Sequence, residues 1–137
     1  MLDAELVWFR KEGFQIAEMD CINWTSEDEF HLQLKAVLKF PDYYGRNMNA
    51  LNDCLSDLVV AEPGFLMVFR HYDSLSADFA HATLDEFANA SRLHMLFGRK
   101  LITLVQVNDP HYSQLPVGAC SLIWNRREWL IRDRITA

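Results

Sequence analysis

Asn49, Asn52, Asp53, Ser56 and Asp57 recur at intervals of three and four, so on a helix they share one polar arc. The chemistry this arc supports is recognition. A carboxylate on an exposed helix face takes paired hydrogen bonds from arginine, and such a pair is fully desolvated only when a complex closes over it. Immediately upstream, Phe40-Pro41-Asp42-Tyr43-Tyr44-Gly45-Arg46-Asn47 reads as a rigid aromatic loop. Pro41 fixes φ, the tyrosines supply large flat surfaces, and Gly45 permits a backbone conformation that a side chain would penalise. Loop and helix together form a candidate binding edge. Gly45 and Asn47 fit the roles of turn and helix cap, while Tyr43 and Tyr44 should point apart, at least one of them into the core.

Other chemistry-bearing residues do not assemble into a site. His31, His71, His81, His94 and His111 are scattered, none three or four positions from another or from a cysteine, so no metal is assigned. Cys54 stands beside Asp53, yet it lies on the apolar arc of the helix, which favours a structural thiol over a nucleophile. The five glycines are dispersed and make no phosphate loop. An enzyme would need a constellation drawn from distant residues, and the sequence suggests none; no catalytic residue and no cofactor is expected.

The elements that must position the edge follow from spacing. From Met48 onward, Met48, Ala50, Leu51, Cys54, Leu55, Leu58 and Val59 fall on the arc opposite the polar one and should face the core. Ser26-Glu27-Asp28-Glu29 has capping-box spacing, and Phe30, Leu34, Val37 and Leu38 continue a helix that Pro41 stops. Glu5–Arg10 and Phe14–Met19 are β-prone runs around Lys11-Glu12-Gly13, a hairpin or kinked first strand. Phe65–Phe69 is apolar without alternation, as in a central parallel strand, and residues 101–107 form a second buried strand. Between them residues 73–97 hold one or two helices, with a second capping-box match at Thr83-Leu84-Asp85-Glu86 and Gly98 as terminator. The order predicts an α/β fold with a small, mostly parallel sheet. Ser121–Trp124 reads as a further short strand and 125–130 as a last helix, whose Arg126 and Arg127, with Arg132 and Arg134, fit a solvated face.

A chain of 137 residues, half of them hydrophobic, is long enough for a real core and is expected to form one domain spanning 1–137. No apolar run approaches the ~20 residues that span a bilayer, and the acidic start Met1-Leu2-Asp3-Ala4-Glu5 lacks the charge of a secretory signal, so a cytoplasmic location is expected. Cys21, Cys54 and Cys120 give an odd count among apolar neighbours, and disulfides are not expected. Residues 1–62 carry 12 acids against 5 bases, which disfavours nonspecific nucleic-acid binding and favours a cationic partner.

At Phe40–Leu55 the run of Pro41, an acid, Tyr43-Tyr44-Gly45, Asn47, Ala50-Leu51 and Asp53-Cys54-Leu55 closely resembles the barstar family of intracellular ribonuclease inhibitors. The resemblance covers about residues 14–107 and leaves 108–137 as a C-terminal strand and helix extension like those of longer bacterial relatives. It implies a two-layer fold, with a three-stranded sheet packed by about four helices. It also implies an immunity or antitoxin-type inhibitor that binds a basic ribonuclease 1:1, away from membrane and nucleic acid. Asp53 matches the family's dominant carboxylate, Tyr43 the loop tyrosine that packs on the enzyme, and Gly45 and Asn47 the turn that presents it; Ser56 shares the polar arc. Asn49 stands where the family commonly has a second acid and Asn52 where it often has tryptophan, so the face keeps hydrogen-bonding capacity while losing charge and aromatic area. That points to a different nuclease target or, alternatively, to a binding module of the same fold for a non-nuclease partner.

Overall fold

The computed structural model describes residues 2–118. The expected strand at Ser121–Trp124, the helix after it and Cys120 lie outside the described residues.

Strand β2 (Phe65–Arg70) is the centre of a three-stranded, wholly parallel sheet in the order β1-β2-β3, with β1 at Gln15–Asp20 and β3 at Leu101–Val105. Gln15, Phe65 and Leu101 stand in register across it. Strands laid down in chain order and joined by right-handed crossovers place both connections on the same face. That face carries α2 (Glu27–Leu38) and α3 (Met48–Ser56) from the first crossover. A 3₁₀ turn (Tyr72–Ser74) and α4 (Ala77–Leu96) come from the second. Phe65, Met67 and Phe69 point into the core these helices close, while Leu66 and Val68 point to the other face. Both sets are buried, which is why β2 is hydrophobic without alternation. The α/β class, the three-stranded sheet and the four helices agree with the expectation.

The other face is covered by α1 (Leu2–Lys11), a helix where the sequence predicts a strand at Glu5–Arg10. Leu6 and Phe9, three residues apart, bury one side of it against Leu66 and Val68, and Phe9 meets Phe14 edge to face with ring centroids 4.9 Å apart. Asp3 and Glu5 in the first turn and Arg10 and Lys11 in the last complement the helix dipole. Local β propensity therefore loses to the benefit of covering a sheet face. Arg70 ties the layers together, donating to Asp3 at 2.9 Å and to Glu18 at 3.1 Å.

Two other expectations change. Residues 77–96 form one helix, and Thr83-Leu84-Asp85-Glu86 sits in its middle, with Thr83 facing the core instead of capping a terminus. Strand β3 is an edge strand in which only Leu101 is fully buried, because no fourth strand pairs with it among the described residues.

Leu6→Ala should cost about 2–5 kcal/mol in urea unfolding, as for other buried leucines. A loss below about 0.5 kcal/mol would mean that α1 is not integral to the core.

Candidate protein-binding face on α3

The loop before α3 is built from inside outward. Tyr44 N–H donates to Pro41 O at 3.0 Å and closes the turn. The Tyr44 ring then turns inward, 5% exposed, against Phe40 and into hydrogen-bond contact with His31 at 2.5 Å. Burial raises the Tyr44 phenol well above the ordinary tyrosine range, so it stays protonated and shares a hydrogen bond with His31 Nδ1. With Tyr44 anchored, Tyr43 faces solvent at 82% exposure. The adjacent tyrosines do point apart.

Asn47 caps α3: its Oδ1 accepts from Ala50 N–H at 2.8 Å, and its Nδ2 donates back to Gly45 O at 3.2 Å. The left-handed residue of this loop is Arg46 (φ 54), not Gly45 as the sequence suggests. What Gly45 provides is room. A Cβ there would come within 3.3 Å of the Asn47 amide and 3.5 Å of Ala50. Arg46 pairs with Asp28 at 3.3 Å and Lys35 with Asp42 at 3.6 Å, tethers of about 0–1 kcal/mol each at the surface.

Helix α3 buries Leu51, Cys54 and Leu55, and the opposite side carries exposed Asn49, Asn52, Asp53 and Asp57. The Asp53 carboxylate makes no hydrogen bond or ion pair among the described residues. Ser56 is half-buried and its hydroxyl donates to Asn52 O at 2.8 Å, a bond within the helix. Cys54 is buried, and burial with the nearby Asp57 and Asp53 charges raises its thiol pKa, which suits a packing role and not a nucleophile. Val59, expected in the core, is 80% exposed, because the helix ends at Ser56 and the arc is broken there. Val59 and Leu58 instead help line a groove with Val37, Phe40 and Pro41 beneath Tyr43.

The charges on this face are placed against the helix's own stability. α3 has no acid in its first turn and no base in its last, while Asp53 and Asp57 sit at its C-terminal end, where the dipole disfavours anions by about 0.3–1 kcal/mol each. They are also like charges one turn apart.

Two buried histidines that the sequence left unassigned hold the face in place. His94 on α4 donates from Nε2 to Leu55 O at 2.9 Å, satisfying a carbonyl at the end of α3, and its Nδ1 accepts from Arg99 at 3.2 Å. His31 packs below the loop beside Phe30 and Phe79 and anchors Tyr44. Neither carries a motif; each is found only by asking which group satisfies a buried polar atom. Among the described residues no three His, Cys, Asp or Glu side chains converge as a metal would require, and no helix is long and apolar enough to cross a membrane.

The parallel three-stranded sheet with helices crossing one face thus presents an exposed carboxylate on the shortest of those helices, behind a tyrosine-bearing loop, as a candidate protein-binding face. Residues 14–94 match the family model described as Barstar (barnase inhibitor), and the chain belongs to that family. The chain is also similar to the putative ribonuclease inhibitor YrdF of Bacillus subtilis (strain 168), 62% identical over 41 residues. That match covers 30% of this chain and 45% of the relative, a little under half its length.

Two outcomes follow. Asp53→Asn should leave stability unchanged or raise it by about 0.3–1 kcal/mol, a shift readable by thermal unfolding; a clear loss would mean that the carboxylate has a structural partner. Burial lowers the pKa of His31, with Glu27 and Asp28 opposing, so the unfolded chain binds that proton more readily than the folded one. Its contribution is complete above about pH 6.5 and is lost as pH falls below it. The urea midpoint should therefore drop between pH 7 and pH 5, and less steeply in His31→Gln.

Proposed function

We propose that this chain inhibits a ribonuclease inside the cell, as an immunity or antitoxin-type protein, by laying α3 and the loop before it across the enzyme's cationic active site in a 1:1 complex. The whole chain, 1–137, acts as a single unit in this reading. The observation that carries it is the Asp53 carboxylate, exposed, without a partner among the described residues and held on a rigid helix at a position that does nothing for the fold. Membership of the Barstar (barnase inhibitor) family and the partial likeness to a putative ribonuclease inhibitor support the same reading.

In the complex Asp53 takes the place of an RNA phosphate, accepting paired hydrogen bonds from enzyme arginines. Tyr43 packs flat on the enzyme beside the anion, and Gly45 and Asn47 fix the turn that presents it. Asn49 and Asn52 add neutral donors and acceptors, while Ser56 braces the helix at the edge of the footprint. A partner with fewer cations opposite that arc fits better than one requiring a second carboxylate. The excess of acids in the N-terminal half steers a basic enzyme toward this face, so the association rate should fall with salt. Inhibition of this kind breaks no bond, and the chain acts without a cofactor or metal.

The test is inhibition of a panel of small basic ribonucleases, including any encoded beside this protein. With the enzyme it inhibits, Asp53→Ala should weaken binding by roughly 2–5 kcal/mol, a range for which nuclease–inhibitor complexes of this family are themselves a measured reference case. Unchanged inhibition by the variant would remove Asp53 from the interface. Failure against every enzyme, with recovery of a non-nuclease partner from the native cell, would establish the alternative binding module.

A further inference from the structure

Between the end of α2 and the end of α3 lies a groove of about 430 Å³ that the polar arc of α3 touches only at Asp57. Its floor is core seen from outside: Ala17 and Phe65 of the sheet, Leu38 and Phe40 around the end of α2, and Cys54 of α3, each less than a tenth exposed. Tyr43 and Val59 line it as well, and at 82% and 80% exposure they form its rim. An apolar recess beside a binding face is where an interface seats an anchoring side chain.

The polar groups around the groove select the kind of side chain. Val37, Leu38 and Lys39 are the last turn and cap of α2, while Cys54 and Asp57 belong to the last turn and cap of α3, so two helix C-termini meet here. Each presents the negative end of its dipole, equivalent to roughly half an elementary charge. Asp57 adds a full negative charge, and its carboxylate makes no ion pair among the described residues. Exposed Lys39 cancels one charge, and the sum stays negative by the two helix ends. The strand edge adds an acceptor. Gln15 N–H donates to Gly64 O and Cys21 N–H to Arg70 O, so the backbone of Ile16, which also lines the groove, turns its C=O away from the sheet.

We propose that this groove seats an arginine side chain of the partner, its aliphatic stem against Phe40 and Val59, its guanidinium beneath the Tyr43 ring and bonded to Asp57. Arginine alone combines an apolar stem, a planar cation that stacks on an aromatic face and several donors for clustered acceptors. A tryptophan would fill the same walls and leave Asp57 unpaired; a lysine would pair with Asp57 but stack poorly on the ring. The acid excess of residues 1–62 favours the same basic partner. This contact rests on the reading of α3 as the nuclease-binding face and extends it. Asp57 lies one turn beyond Asp53, about 6 Å along the axis, so an enzyme surface with two cationic side chains at that spacing reaches both.

NMR titration of the full-length protein with Nα-acetyl-arginine amide tests the groove without any enzyme. The signals of Tyr43 and Val59 should shift and saturate, with binding at least about fivefold tighter than for the citrulline amide, which has the same shape without the charge, or for the tryptophan amide. Asp57→Asn should remove that preference, and Lys39→Met should strengthen binding by about twofold or more. Both replaced side chains are exposed, so neither change puts the fold at risk. No saturable shift, equal binding of the citrulline amide or tighter binding of the tryptophan amide would overturn the proposal. With a ribonuclease that the protein inhibits, Asp57→Asn should raise the Kd at least about tenfold. Inhibition lost in Asp53→Ala but unchanged in Asp57→Asn would overturn the arginine contact and leave the nuclease reading standing. Arginine-selective binding with no ribonuclease inhibited would support the contact and overturn that reading instead.

Discussion

Burial of Leu51, Cys54 and Leu55 fixes the rotation of α3, and the outward face follows from it. On a helix of nine residues there is little latitude: a turn of 100° would bring Asn52 or Asp53 inward. An unpaired buried carboxylate costs several kcal/mol, more than so short a helix could recover by burying other apolar surface. The core therefore decides where the carboxylate points. His94 and Asn47 hold the two ends of the same helix, one by donating to the Leu55 carbonyl and the other by accepting from the Ala50 amide.

The loop depends on the same logic one layer down. Among the described residues the Tyr44 hydroxyl is paired with His31 at the base of the loop, so its ring is drawn inward and Tyr43 is left outside. Arg46 adopts a left-handed backbone conformation that disfavours side chains, at a general cost of about 1–3 kcal/mol. Together with two carboxylates at the wrong end of a helix dipole, this makes the α3 edge a place where local stability is given up. The large core beneath, centred on Phe69, Tyr72 and Phe87, carries that cost.

Much of this is legible in the sequence because period and punctuation agree. Ser26 does cap α2, although a left-handed Lys39 ends the helix at Leu38, before Pro41 is reached; the uniform apolarity of β2 does mark a strand covered on both faces, and Asp53 lies on the outer arc of α3. The failures have one cause: local signals outweighed by tertiary ones. Glu5–Arg10 looks β-prone until the second sheet face needs a cover, and Thr83 mimics a cap while being a core residue of a longer helix. Gly45 masks Arg46, since a left-handed arginine leaves no mark in composition. His31 and His94 are invisible for a similar reason, because their roles exist only once Tyr44 and the Leu55 carbonyl have been buried.

The central claim is that the α3 face occupies the place of RNA on an enzyme. Steady-state kinetics with the inhibited ribonuclease tests it most directly, by varying RNA at several fixed concentrations of this protein. Occupation of the substrate site predicts strictly competitive inhibition: the apparent KM rises with inhibitor while kcat at saturating RNA is unchanged. A fall in kcat that saturating RNA does not relieve would contradict it, since the protein would then be acting away from the substrate site.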